Sequence, residues 1–309
     1  MKETIEYYYN IDIDNLEEKE GKYHFKYQNR EFFFIFYNRN LEEFDDILLC
    51  VKNMKEKGID VHDVILNRNG SFLTKVNDYN YILLSLNNIA ETYDIFDIVN
   101  ISEKLVLNYS NSKLYRNNWA NLWSQKIDYF EYQIRELGLY KNVVKDSFSY
   151  YVGLAENAIS YVHKFNNNFI NSNNSKIVLS HRRVFYPNYK LNFMNPLSFI
   201  FDLEVRDIAE YLKAMFFSED DMYEETISEL KYYLKVKTLT FYEYSMLYAR
   251  LLYPSYYFDV YEEIMNKDRN EEDLIKIVKK SDLYESFLKK GYLEITKYPA
   301  IDKINWLTD

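Results

Sequence analysis

The sequence predicts an α+β chain of two lobes, a small mixed lobe over residues 1–86 and a larger, mainly helical lobe over residues 87–309. Three observations carry the prediction. Short β-branched and aromatic runs crowd into the stretch before Leu86, apolar residues at steps of three and four dominate after Asn87-Asn88, and 309 residues is about twice a common domain length. In a plan of this kind the cleft between lobes is the default ligand site.

Lys22 to Gln28 and Phe32 to Tyr37 read as two strands of a hairpin, separated by the polar turn Gln28-Asn29-Arg30-Glu31. Leu41, Phe44, Ile47, Leu48, Val51 and Met54 fall on one helix face, and Gly58 follows as a stop. His62 to Leu66, Ser71 to Val76 and Tyr81 to Leu86 read as short strands, divided by Asn67-Arg68-Asn69-Gly70 and Asn77-Asp78-Tyr79-Asn80. Beyond Asn88, Trp119, Leu122, Trp123, Ile127, Phe130, Ile134 and Leu137 mark a helix that stops at Gly138. Tyr150, Leu154, Ala158, Ile159 and Val162 mark a second helix, and the two are expected to pack together. Asn166 to Ser175 is too polar for a core and reads as an exposed loop or frayed helix end. Lys176 to Ser180 is β-prone, Ser198 to Phe201 is apolar, and from Val205 the chain reads as helical almost to its end. There is no internal repeat.

Composition excludes several function classes. With 38 basic and 48 acidic side chains the net charge is -10, which opposes a broad electrostatic grip on nucleic acid or anionic lipid. Cys50 is the single cysteine, so neither a disulfide framework nor a zinc site with two thiolates is possible. No apolar run approaches the roughly 18 residues of a membrane span, and Met1 to Glu6 lacks the pattern of a signal peptide, so cytoplasmic synthesis is expected. His24, His62, His163 and His181 show no metal-ligand spacing and read as surface or satisfied polar residues, and no Ser or Cys stands in a nucleophile context. Asp12-Ile13-Asp14 begins like a calcium loop, but Leu16 takes the third ligand position and the turn glycine is missing. Near the C-terminus, Lys276, Lys279, Lys280, Lys289 and Lys290 alternate with acids, the pattern of a solvated helical face.

The segment order, together with four word-like segments, resembles the aminoglycoside-phosphotransferase-like branch of the protein-kinase fold, and within it the YutH/CotS-type bacterial spore-coat proteins. The segments are Trp119-Ala120-Asn121-Leu122-Trp123, the run from Ser147-Phe148-Ser149-Tyr150 to Ile159-Ser160-Tyr161, Leu179-Ser180-His181-Arg182-Arg183, and the run from Asp202-Leu203-Glu204 to Glu210-Tyr211-Leu212. The resemblance implies a bilobal kinase-like fold and, in active relatives, ATP and Mg. Phosphoryl transfer there needs a small-lobe Lys on the phosphates, a catalytic Asp, an Asn five residues later and an Asp on the metal.

Against those four requirements this sequence reads as degenerate. The strand that should hold the Lys is Phe32-Phe33-Phe34-Ile35-Phe36-Tyr37, with no cation, and Glu42 and Glu43 then read as a solvated helix start. In the loop with the family form His-Gly-Asp, the chain has His181-Arg182-Arg183, which puts Arg183 at the base position, where a guanidinium accepts no proton. Asn188 follows at the metal-ligand spacing but also fits an ordinary turn, Pro187-Asn188-Tyr189. Asp202 stands at the metal position, and the segment from Asp202 to Asp207 is shorter than the resemblance leads one to expect. Asp207 reads as an N-cap or buried acceptor. Arg182, Arg183 and Arg206 are candidates to pair with Asp202 and Asp207 in place of a metal.

The 33 Tyr, with 21 Phe and 3 Trp, read mainly as core and rim residues, the alternative being a sticky assembly surface. The expectation is a non-catalytic spore-coat scaffold without cofactor, whose partners are other coat or scaffold proteins. The alternative is an active small-molecule phosphotransferase with relocated groups, using ATP with Mg held by Asn188 and Asp202. A third possibility keeps the cleft as a non-catalytic ligand sensor.

Overall fold

Two residues in left-handed conformation, Gln28 (φ 47°) and Asn29 (φ 63°), close the first hairpin, so its second strand begins at Arg30, two residues before the expected start at Phe32. The structure is a computed structural model that describes residues 1–19, 21–105, 111–116, 118–137, 142–168, 176–266 and 270–308. In chain order the early elements are α1 (Lys2–Tyr9), β1 (Glu17–Lys19), β2 (Lys22–Tyr27), β3 (Arg30–Phe36), α2 (Phe44–Glu56), β4 (Asp63–Ile65), β5 (Thr74–Val76), β6 (Tyr79–Leu86) and α3 (Ile95–Lys104). Then come α4 (Trp119–Leu137), α5 (Asn142–Asn168), β7 (Ile177–His181), α6 (Lys190–Phe193), β8 (Phe199–Leu203) and α7 (Val205–Ser218). The last are α8 (Tyr223–Val236), α9 (Phe241–Leu252), α10 (Ser255–Met265), α11 (Glu271–Lys279), α12 (Ser281–Ile295) and α13 (Asn305–Thr308). Two compact units result. The first is Met1–Tyr115 with Val178–Arg182 and Pro187–Phe201, and the second is Arg116–Ile177 with Arg183–Tyr186 and Asp202–Asp309.

The first unit is built on an antiparallel sheet of order β1-β2-β3-β6-β4, with β5 also paired to β6. Period-two alternation along β3 sends Phe32 and Phe34 to one face, where they join Ile5, Ile13, Phe25 and Leu83 in a buried cluster. Ile13, between Asp12 and Asp14, is part of this core. α1 supplies Ile5 to it. This helix was not expected, because its Tyr7-Tyr8-Tyr9 run is β-prone and only one of its side chains is buried. On the other face Phe33 stacks on His24 at 4.8 Å and meets His62 edge-on at 6.3 Å.

α2 buries Phe44, Ile47, Val51 and Met54, as the spacing predicts, and Cys50 besides, while the expected Leu48 is half-buried. Leu41 departs from the prediction. It lies in the 3-10 turn Leu41–Glu43 and is 54% exposed. The stop at Gly58 is a Schellman motif: Gly58 takes φ 71°, its amide reaches Lys55 O at 2.9 Å, and Ile59 N reaches Met54 O at 2.9 Å.

The chain after β7 is tied to this unit by two buried side chains. Lys190 sits between Asp60 (2.7 Å) and Glu91 (2.9 Å). His62 is not the surface or satisfied polar residue expected: it is 1% exposed, bonds Leu191 O through Nε2 at 2.9 Å, and has no partner at Nδ1. Burial pushes its pKa down to about 4, against the pull of the Leu191 carbonyl and of Asp60 and Asp63. The unfolded chain therefore binds this proton first as pH falls below about 6.5, and stability is lost through that window; at pH 4.5 the loss is about 2–3 kcal/mol. Urea unfolding of wild type and His62→Gln across pH 7.5 to 4.5 is expected to show the wild type losing that much relative to the variant. A difference that stays flat with pH would assign the acid sensitivity to other groups.

In the second unit α4 and α5 pack on each other, as expected, and the four residues between them make the pair antiparallel. Aromatic stacks fill the interior: Tyr151 on Tyr257 (3.8 Å), Trp123 on Tyr253 (4.2 Å) and Phe130 on Phe258 (5.2 Å). Many tyrosines are buried, which is the core reading of the tyrosine count; Tyr284 bonds Leu251 O at 2.8 Å and Tyr257 bonds Ser147 Oγ at 2.9 Å, whereas the buried hydroxyls of Tyr233, Tyr248 and Tyr253 have no partner among the described residues. Tyr7, Tyr79, Tyr129 and Tyr132 remain more than half exposed. Lys276 pairs with Asp273 at 3.1 Å on the solvated face expected near the C-terminus, whereas Lys290 stands 3.6 Å from a buried carboxylate, Glu294. Of the polar run Asn166 to Ser175, α5 takes the chain to Asn168; residues 169–175 and the stop at Gly138 lie outside the described residues. No described helix is long and apolar enough to cross a membrane.

Candidate functional site

β3 carries one cation, Arg30, at its first residue, and Asp63 of β4 holds it together with Lys55. The interior of the strand is aromatic or aliphatic throughout, so no Lys or Arg projects from its middle. The buried cation nearest in sequence is Arg39, just beyond the strand. Its side chain is 1% exposed; Nε donates to Glu43 at 2.7 Å, and Nη1 donates to Leu197 O at 3.0 Å and Phe199 O at 2.7 Å. Glu43 is therefore not the solvated residue expected but the buried partner of Arg39, whereas Glu42 is exposed as predicted and lies 3.8 Å from Lys113. The spacing of Arg39 and Glu43, four apart behind a strand, was the signal that could have found this pair.

His181 ends β7 as a packed ring, stacked on Phe193 at 4.2 Å and edge-on to Phe199 at 5.6 Å. The Arg182 amide donates to Ser198 O at 2.7 Å. Asn188 is 2% exposed; its carbonyl accepts from Tyr93 N at 2.9 Å, yet both polar atoms of its side chain are buried without a hydrogen bond. A buried amide left in that state calls for an occupant such as water or an ion.

In the second unit Arg183, at the base position, donates to Asp259 of α10 at 2.5 Å, and Lys126 of α4 stands 3.5 Å from the same carboxylate oxygen and 3.1 Å from Glu262. Of the proposed guanidinium partners, Arg206 meets Asp202. Asp202 is 0% exposed and its two oxygens accept from Trp119 Nε1 (2.9 Å to each), the Leu203 amide (2.8 Å) and Arg206 Nη1 (2.7 Å). Asp207 is not the N-cap of α7, which is Glu204; it is buried in the first helical turn.

Asp202 begins a ladder of charge along one face of α7. Arg206, Glu210 and Lys213 follow at steps of four, four and three, and α9 adds Arg250, whose Nε bonds Glu210 at 2.6 Å. Lys213 donates to Glu210 (2.8 Å), Arg250 O (3.0 Å), Tyr253 O (3.1 Å) and Ser255 Oγ (2.7 Å). The Arg250 guanidinium lies 5.1 Å from the ring centre of Trp119 and 5.4 Å from that of Trp123, within cation–π range. Burial pushes Asp202 up from the usual carboxylate range, opposed by Arg206 and Arg250, and pushes Lys213 down to about 8 against the pull of Glu210. Burial also works against the Glu210 carboxylate, but Lys213 and Arg250 outweigh it and hold this acid well below its ordinary value.

Both oxygens of the carboxylate at the metal position accept from protein donors, and the interior of β3 carries no cation. Among the described residues no group of three or more His, Cys, Asp or Glu is arranged to hold a metal ion.

A sequence profile of the family described as "Spore coat putative kinase YutH" matches residues 2–291. The endospore coat-associated protein YutH of Bacillus subtilis (strain 168) is 28% identical over 209 residues, which cover 61% of this chain and 61% of that protein. Among solved structures, an aminoglycoside phosphotransferase from Alicyclobacillus acidocaldarius superposes with TM-score 0.62 at 10% identity, covering 94% of each chain. Spectinomycin phosphotransferase superposes with TM-score 0.61 at 11% identity, covering 95% of this chain and 97% of its own. These likenesses show the aminoglycoside-phosphotransferase-like kinase fold.

Proposed function

We propose, on the premise that the chain belongs to the YutH family of spore-coat kinase-like proteins, that it is a catalytically degenerate member acting as a scaffold in the coat through contacts with other coat proteins. The observation that carries this reading is that the fully buried Asp202 gives both its oxygens to Trp119, the Leu203 amide and Arg206. A carboxylate that must bind Mg needs at least one oxygen lone pair free and reachable, and here Arg206 neutralises the charge that the metal would neutralise. The guanidinium of Arg183 in place of a base points the same way.

One experiment tests both claims. ATP with Mg is expected to give neither a shift in melting temperature nor turnover above buffer. Asp202→Asn is expected to lower stability by about 3–5 kcal/mol with no nucleotide present, because Arg206 is left buried without its counter-charge. Turnover of ATP that disappears in Asp202→Asn would overturn the reading.

A second reading, an active small-molecule phosphotransferase with relocated groups, is favoured by the unpartnered buried amide of Asn188. It predicts stabilisation by ATP with Mg that is lost in Asn188→Ala.

A further inference from the structure

The second unit contains a pocket of about 440 Å³ between the N-terminal part of α5 and the helices α11 and α12. Asp202 and the residues that bind it are not among its lining residues. Neither the kinase-like plan nor the scaffold reading uses this pocket.

Its chemistry is specific. The floor and sides include Val143, Ile275 and Val278 and the rings of Tyr150 and Tyr151, which meet edge to face at 4.9 Å. Tyr150 donates to Glu285 at 2.7 Å and Tyr151 bonds Ser281 at 2.8 Å, so both rings are fixed by their hydroxyls. Asp146 of α5 and Asp282 of α12 also line the pocket, and among the described residues neither carboxylate takes part in a hydrogen bond or ion pair. Lys279 is the one cation on the wall, against two free carboxylates and the neighbouring Glu285.

We propose that this pocket binds a compact organic ammonium ion, its charged head between Asp146 and Asp282 and its carbon part against Tyr150, Tyr151 and Val278. An anion would face two unpaired carboxylates. A neutral molecule would cover those carboxylates without replacing the water they lose, which costs free energy. An ammonium supplies N–H donors or polarised methyl groups to the acids, while Val278 and the half-buried Tyr150 ring give its carbon part an apolar contact. The volume falls in the range of small-molecule sites.

The test is calorimetric titration of the full chain with benzylammonium and with benzyl alcohol, its neutral counterpart of nearly the same shape. Benzylammonium is expected to bind at one saturable site, with benzyl alcohol about tenfold weaker or more, and with a similar loss in the double variant Asp146→Asn/Asp282→Asn. Both acids are exposed and unpaired, so the variant is expected to melt with the wild type, which a thermal scan checks. Lys279→Gln removes the competing cation and is expected to tighten benzylammonium about twofold. Equal affinity for the charged and neutral probes, undiminished binding by the double variant, or no saturable binding at all would each overturn the proposal.

Discussion

Glu210→Gln is expected to cost about 3–5 kcal/mol of stability, read as a fall in the urea midpoint at constant slope. The carboxylate accepts from Lys213, from Arg250 and from Ser255 Oγ at 3.0 Å, and its side chain is 10% exposed. The substitution keeps size and shape but leaves two cations in the interior facing a neutral amide. The Asp202 carboxylate is already held by Arg206 and Trp119. Adding Lys213→Met to Glu210→Gln is expected to restore part of the loss, because one uncompensated charge leaves with it. A double variant no more stable than Glu210→Gln would show that the cost lies in packing and not in charge.

Arg39→Met is expected to cost a similar amount, about 3–5 kcal/mol, and in a different place. The guanidinium satisfies Glu43 at the start of α2 and two carbonyls, Leu197 O and Phe199 O, that lead into β8. Methionine fills the space of the stem and returns none of these bonds. Hydrogen exchange is expected to quicken at residues 41–44 and 197–201 more than elsewhere in the first unit. Uniform acceleration across β2, β3 and β6 would mean that Arg39 supports the whole sheet and not this one junction. Arg39 thus fixes the beginning of α2 through the protein's own carbonyls, where the kinase plan uses a lysine whose partner includes a nucleotide.

Much of the fold was legible because the apolar spacing is strong where it matters. The stripe from Phe44 to Met54 and the Gly58 stop read directly as α2, and the polar turns at Gln28 and Asn77 placed both hairpins within two residues. α1 was not legible, since its one buried side chain gives no periodicity and its tyrosines favour a strand. The candidate positions His181, Arg183, Asn188 and Asp202 were named through the resemblance to the kinase-like motif, but their partners could not be named from the sequence. Arg183 meets Asp259, which is 76 residues away, and Asp202 meets Trp119, which is 83 residues away. Only the local part of the charge ladder, Arg206, Glu210 and Lys213 after Asp202, was written in one segment at helical spacing. Burial decided the rest: Glu43 and His62 look like surface residues in sequence and are interior ones in the structure.

The ladder along α7 also limits what a single mutation can do. Removing Arg206 to free Asp202 strands that carboxylate in the interior and takes from Glu210 one of the positive charges that keep it ionised. Restoring Asp at position 183 strips Asp259 of its guanidinium while Asp202 stays closed. Each of these two changes is therefore expected to cost stability by itself, so on the degenerate reading proposed above this face reopens only when several positions change together.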